Sequence, residues 1–144
     1  SRAVSTEFLL PVRVYIEDTD AGGIVYYVNY LKYFERCRTE LMRALGTERA
    51  AISESGWMFV VSKLEVSYRQ PAHLDDELQA TASITAVGGA TIGFFQSVRR
   101  GETVLVEGDV QIACVDCETG RPRRLPHLLR RQADASLSAQ GDTA

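Results

Sequence analysis

The sequence predicts one α+β domain: a long amphipathic helix followed by a run of antiparallel strands. Three observations carry this. Apolar side chains recur at helical spacing from Asn29 to Leu45. Stretches of alternating apolar and polar residues then follow from Met58 to Val115, separated by Gly- and Pro-marked turns. The chain has 144 residues, 45% hydrophobic and 24% charged, which suits a single globular domain. No repeat or interdomain linker interrupts it.

Each element has a local cause. Val12, Val14 and Ile16 alternate with Arg13, Tyr15 and Glu17, the period of a first strand around Arg13–Tyr15. Gly22-Gly23 makes a turn. In the helix, Leu31, Phe34, the stem of Arg38, Leu41 and Leu45 share a face with Cys37 and Met42 beside them, and Gly46 is placed as its stop. Thr47 to Gly56 reads as a short second helix and loop. Four strands follow as a meander: Met58–Arg69, broken by Gln70-Pro71-Ala72; Glu77–Val87, ended by the hairpin signal Gly88-Gly89; Thr91–Arg99; and Val104–Val115. Leu125 to Gln132 predicts a terminal helical turn. The domain is expected over residues 1–132, with 133–144 a disordered tail, since Leu137 is its only large apolar residue. One helix wrapped by one curved sheet is a hotdog-like arrangement, and its open edge strands invite a second copy.

Composition narrows function. A net charge of −3 argues against nucleic acid as main partner. Ser1 to Pro11 carries no long apolar run, so neither a signal peptide nor a membrane span is expected. Cys37, Cys114 and Cys117 suit the reducing cytoplasm. The C-x-x-C spacing of the last two, without a second pair or suitably spaced histidines, reads as incidental, and no metal site is expected. There is no G-x-S-x-G elbow and no phosphate-binding G-x-x-x-x-G-K-[ST] loop.

The segment with the most chemistry is Glu17 to Tyr30. It joins an acidic pair, a glycine turn and a helix N-terminus. A carboxylate there sits beside unpaired backbone N–H groups, which can hold the charge that develops on a carbonyl oxygen. That suits acyl transfer to water. Asp20 is the candidate carboxylate, against the plainer reading that it braces the turn. Asp18 reads as structural, with a coupled pair left open.

The pattern D-x-D-x-x-G-x-V-x-x-x-N-Y over Asp18–Tyr30, then Phe34-Glu35-Arg36-Cys37-Arg38-Thr39-Glu40, Val66 to Leu78, and Arg123-Arg124-Leu125-Pro126, resembles the hotdog acyl-CoA thioesterases of the 4-hydroxybenzoyl-CoA thioesterase type. The similarity is nearest to the Tol–Pal-associated YbgC branch and runs from about Pro11 to Leu129. The resemblance implies a thioester hydrolase acting on acyl-CoA or an acyl-carrier protein, with no cofactor beyond the CoA of the substrate, active as a homodimer or homotetramer. It places the catalytic aspartate on Asp20, as nucleophile or general base, and the carbonyl-polarising backbone N–H on Tyr27. Phe59 falls near the acyl-pocket position, and Ser62 and Lys63 on the strand flanking the acyl and pantetheine channel. Glu35 is either a surface charge or faces a subunit seam and substrate.

Two departures from that family stand out. Tyr27 occupies a position that is usually histidine in the Tol–Pal branch. Gly88-Gly89-Ala90 stands where some hydroxybenzoyl-CoA enzymes carry a basic cluster. Arg69, His73, Arg99, Arg100 or Lys63 would then have to meet the CoA phosphates. Arg121, Arg123 and Arg124 are a further small basic cluster, either solvated or meeting a phosphate or an acidic carrier. The rival readings are a non-catalytic acyl-carrier or CoA-binding module, which would not need Asp20, and a hotdog dehydratase, whose chemistry asks for a histidine near the motif.

Overall fold

In the computed structural model, residues 7–46 and 56–142 are described, with side chains to 138. Five strands form one antiparallel sheet: β1 Phe8–Arg13, β2 Trp57–Tyr68, β3 Glu77–Val87, β4 Thr91–Arg100 and β5 Thr103–Asp116. Helix α1, Asn29–Ala44, packs on β1, β3 and β4, and helix α2, His127–Asp142, packs on β3. This is a single α+β hotdog arrangement, as expected. The predicted helix within Thr47 to Gly56 lies almost wholly outside the described residues.

The helical stripe of α1 accounts for the centre of the core. Tyr30, Tyr33, Phe34, Cys37, Leu41 and Met42 are buried in one cluster with Leu78, Ala80, Ile84, Ile92, Phe94 and Val98 of the sheet. The two buried tyrosines lie on that stripe although the predicted face omitted them. Leu45 closes the helix, and Gly46 follows at φ +108°, a conformation that costs glycine little.

The strands do not form the expected meander. Their spatial order is β1-β3-β4-β5-β2, so β2 pairs with β5 from Trp57↔Asp116 to Tyr68↔Val106 and has no contact with β3 as a neighbour. The reason lies in the segment after β2. Val25 N–H donates to the Ala72 carbonyl at 2.8 Å and Leu74 N–H to the Gly23 carbonyl at 3.1 Å. These bonds hold the connection against the Gly22-Gly23 turn instead of folding it back as a hairpin. The β3–β4 and β4–β5 hairpins are as predicted, with registers Val87↔Ile92 and Arg100↔Thr103.

Three smaller differences have equally local causes. Ile16 is not an inward strand residue but 76% exposed, because the alternation ends at Val14 and Ile16–Asp18 form a 3₁₀ turn. Ala86 is exposed because the register shifts between Ile84 and Ala86. The C-terminal segment is helical to Asp142 rather than irregular beyond Gln132. Leu129 and Ala133 of this helix are buried with Leu125 just before it, and Leu137 packs against the same cluster, the three helical residues one turn apart each.

β2 leaves one edge of the sheet open, with Val60, Val61 and Leu64 exposed and a bulge at Ser62 between Val61 and Lys63. β5 approaches it closely. A Cβ on Gly108 would stand 2.5 Å from the Glu65 carbonyl oxygen and 3.2 Å from Val66 Cγ2. Gly108→Ala is therefore expected to destabilise the fold by about 1–3 kcal/mol, the usual range for overpacking, read as a lowered urea midpoint.

Candidate active site

The Glu17–Tyr30 segment folds into a small hairpin that leads into α1. Thr19 and Val25 form an antiparallel bridge, Asp20 N–H donates to the Ile24 carbonyl at 2.9 Å, and Tyr26 N–H donates to the Asp18 carbonyl at 3.0 Å. The tip is closed by Asp20 itself. Its carbonyl accepts Gly23 N–H at 3.0 Å, and its Oδ1 accepts Gly22 N–H at 2.8 Å. Gly23 sits at φ +81°, which explains a glycine there. Asp20 is exposed, and Oδ2 has no protein partner among the described residues.

Asp18 does different work. It is 8% exposed, and its Oδ2 accepts Tyr15 N–H at 2.9 Å across the 3₁₀ turn. Its carbonyl also takes the Asn29 side-chain N–H at 2.8 Å. The structural reading of Asp18 matches this geometry. Burial, with the Asp18 charge nearby, pushes the Tyr33 phenol pKa up, so Tyr33 stays neutral beneath the hairpin.

Helix α1 starts without a side-chain cap. Val28 occupies the cap position and supplies no bond, while the Asn29 amide is spent on Asp18. Among the described residues the Tyr27 N–H has no acceptor. Helix starts normally satisfy such groups with Ser, Thr, Asp or Asn. An uncapped helix start at the end of a hairpin that carries an exposed carboxylate is an arrangement that can hold an oxyanion.

A second segment braces the hairpin. Ile24 bridges to His73, Asp75 N–H donates to the Val14 carbonyl at 3.0 Å, and the Asp76 carboxylate accepts His73 N–H and the Arg100 guanidinium, both at 2.8 Å. Burial pulls the Asp76 pKa upward. The His73 N–H and Arg100 outweigh it, and the pKa ends below the ordinary carboxylate value. A depressed folded-state pKa gives stability that is present above the unfolded value and lost as pH falls through the folded one. Asp76→Asn should therefore melt below the wild type at pH 7. The gap between the two should begin to narrow below about pH 4, near the unfolded carboxylate pKa, and close as pH falls through the lower folded-state value.

Tyr27, Tyr30 and Tyr68 line a hollow of about 250 Å³ with Ile24, Val25 and Arg69. The rings touch in series: Tyr26 to Tyr27 at 5.1 Å, Tyr27 to Tyr68 at 5.9 Å and Tyr68 to Tyr30 at 5.8 Å between centroids. Ala72 N–H donates to the Tyr30 hydroxyl at 2.9 Å, tying the ring wall to the bracing segment. Sequence reading missed this wall. Its only signal was the density of tyrosine around the motif.

The structure separates the remaining candidates. Glu35 and Phe59 come together in a hollow of about 120 Å³ between α1 and β2. Ser62 sits on the bulge, its hydroxyl shared with the Gln111 carbonyl at 3.3 Å and Oε1 at 3.0 Å, and Lys63 is exposed on the edge strand. Neither lines that hollow. Three of the cations considered for phosphate are already paired: Arg69 with Glu107 at 2.7 Å, Arg99 with Glu7 at 3.1 Å and Arg100 with Asp76 at 2.8 Å. Among the described residues no His, Cys, Asp or Glu group has the makings of a metal site. Cys37, Cys114 and Cys117 are free thiols, and no helix is long and apolar enough to cross a membrane.

Residues 14–133 match the thioesterase-like superfamily. This chain belongs to that superfamily. Within it, the chain is 43% identical over 123 residues to an acyl-CoA thioester hydrolase, YbgC, of Escherichia coli O6:H1, covering 85% of this chain and 92% of the relative. It is 44% identical over 120 residues to the acyl-CoA thioesterase YbgC of Haemophilus influenzae, covering 83% and 88%. A crystal structure from Bartonella henselae superposes with TM-score 0.78 at 37% identity, covering 83% of this chain and 99% of that one. A DHNA-CoA thioesterase of Staphylococcus aureus superposes at TM-score 0.84 and 18% identity, covering 95% and 94%, a likeness of fold alone. The hotdog arrangement is thus that of the thioesterase-like superfamily.

Proposed function

We propose that this protein hydrolyses acyl-CoA thioesters to a carboxylic acid and CoA. One observation carries the residue assignment: the exposed Asp20 carboxylate lies on the hairpin that runs into an uncapped helix start, where the Tyr27 N–H has no acceptor among the described residues. The thioester carbonyl oxygen points at the Tyr27 N–H and the positive end of α1. Asp20 either attacks the carbonyl carbon or takes the proton of a water that does. The tetrahedral oxyanion rests on the Tyr27 N–H. The C–S bond then breaks, the electron pair leaving with the CoA sulfur. Label found in the Asp20 side chain after a single turnover in heavy-oxygen water identifies direct attack, since general-base hydrolysis puts all of it in the product acid.

The relatives named as acyl-CoA hydrolases support CoA as the thiol. Thiol release from short, long and aromatic acyl-CoAs tests the reading. Turnover of one class sustains it, and a folded protein that releases no thiol from any of them overturns it. The open β2 edge, with Val60, Val61 and Leu64 exposed, supports a homodimer or homotetramer as the working form. Light scattering on the eluted protein gives the mass directly, and a monomer mass sinks that part. Three free thiols support a reducing compartment, the cytoplasm.

A further inference from the structure

A hollow lies along α1, against β2 and β5. Its lining starts at Val28, next in sequence to Tyr27, and sets Leu31 and Phe34 against Val61, Leu64 and Val110 around about 270 Å³. Val61 and Leu64 belong to the β2 edge proposed above for a second copy, so the hollow lies at that seam. It shares Glu35, Arg38 and Val61 with a smaller hollow lined by Met42, Phe59 and Ile112. The lining is apolar except for Lys32, Glu35, Arg38 and Thr39.

Arg38 is the anomaly. It is only 9% exposed, yet no carboxylate lies within ion-pair distance of it among the described residues. Its Nη1 donates to Gln96 Oε1 at 2.9 Å, a neutral acceptor. Gln96 is fully buried and cannot turn away, because its Nε2 donates to the Phe34 carbonyl at 2.9 Å and the Thr81 carbonyl at 3.3 Å. The remaining guanidinium donors have no protein acceptor among the described residues. Burial draws the Arg38 pKa down, against the charge of Glu35, but a guanidinium keeps its proton. A buried charge without a counter-ion calls for one. Among the described residues Glu35, which is exposed, is the only acid along the groove, beside two cations, Lys32 and Arg38.

The spacing suits a chain held at both ends. From Tyr27 to Arg38 the helix rises about 16 Å at 1.5 Å per residue, and helical side chains lean back toward the N-terminus, which shortens the gap. We propose that this groove takes acyl chains ending in a carboxylate, with Arg38 binding the terminal anion and Lys32 beside it, so that ω-carboxyacyl thioesters are the preferred substrate class. This rests on the thioesterase reading above. Arg38 would be a specificity residue, remote from the bond that breaks. A bidentate guanidinium–carboxylate pair supplies the geometry, and a plain alkyl end would leave the guanidinium unpaired.

The test compares kcat/KM for ω-carboxyacyl-CoA and unsubstituted acyl-CoA of equal length, in wild type, Arg38→Met and Arg38→Lys. Wild type is expected to favour the ω-carboxyacyl substrate by about tenfold or more. Arg38→Met should erase that ratio and Arg38→Lys retain part of it. The free dicarboxylic acid should inhibit wild type more strongly than the monocarboxylic acid of the same length. If wild type turns over the unsubstituted chain as well or better, this inference fails and the thioesterase reading stands. If it hydrolyses neither class nor any other acyl-CoA, both fail. Should Arg38→Met not fold, the wild-type ratio and the inhibition decide alone.

Discussion

Asp20→Asn is expected to lower kcat about a hundredfold or more while leaving the fold intact. The substitution separates chemistry from structure because of what Asp20 bonds. Its only side-chain partner among the described residues is Gly22 N–H, through Oδ1. The asparagine carbonyl can accept that same bond, so the tip of the hairpin keeps its shape. Asparagine, however, is neither a base nor a nucleophile toward a thioester. A hundredfold loss is about 2.7 kcal/mol of transition-state stabilisation. Exposed substitutions of this kind move stability by about 0.5 kcal/mol or less, so the thermal midpoint should stay close to wild type. Both quantities are needed. A large loss of kcat with an unmoved midpoint assigns Asp20 to the reaction. Full activity in Asp20→Asn would return Asp20 to the role of turn brace and place the reacting carboxylate or base elsewhere.

The helix, the β3–β4 and β4–β5 hairpins and the turn at Gly22-Gly23 were legible in the sequence because each rests on neighbours a few residues away. The stripe from Leu31 to Leu45 and the alternation of Leu78, Ala80, Ala82 and Ile84 are local periods, and the buried face of each follows from them. What failed to show was contact over distance. β2 lies beside β5 because the segment after it is held by Gly23 and Val25, and no period in β2 encodes that. The C-terminal helix had a readable signal, Leu125, Leu129, Ala133 and Leu137 at intervals of four, outweighed by the small polar residues between them. Arg38 was read as an aliphatic stem on the core face. Its charge came along with the stem, and only the structure exposes that, among the described residues, no acid lies within ion-pair distance of it.

Tyr27 gives the second large effect, and here the backbone rather than the ring is under test. Tyr27→Ala keeps the N–H and removes the ring contacts with Tyr26 and Tyr68. Tyr27→Pro removes the N–H. The position precedes the first helical residue, Asn29, and lies outside the hydrogen-bonded ladder of α1, where proline is tolerated. Proline also favours an extended residue before it, and Tyr26 lies in neither helix nor strand. Loss of one oxyanion donor costs about 10²–10³ in kcat, or about 2.7–4 kcal/mol. Tyr27→Pro should fall in that range and Tyr27→Ala should lose less than about tenfold, with far-UV circular dichroism unchanged in both. Equal losses in the two variants would move the chemistry to the tyrosine ring. An active Tyr27→Pro would mean that the carbonyl is held elsewhere on the helix start. The contrast has a further use: the position varies between histidine and tyrosine in the resemblance that first pointed to this site. A main-chain donor is indifferent to that exchange, since every residue except proline presents the same N–H to the substrate.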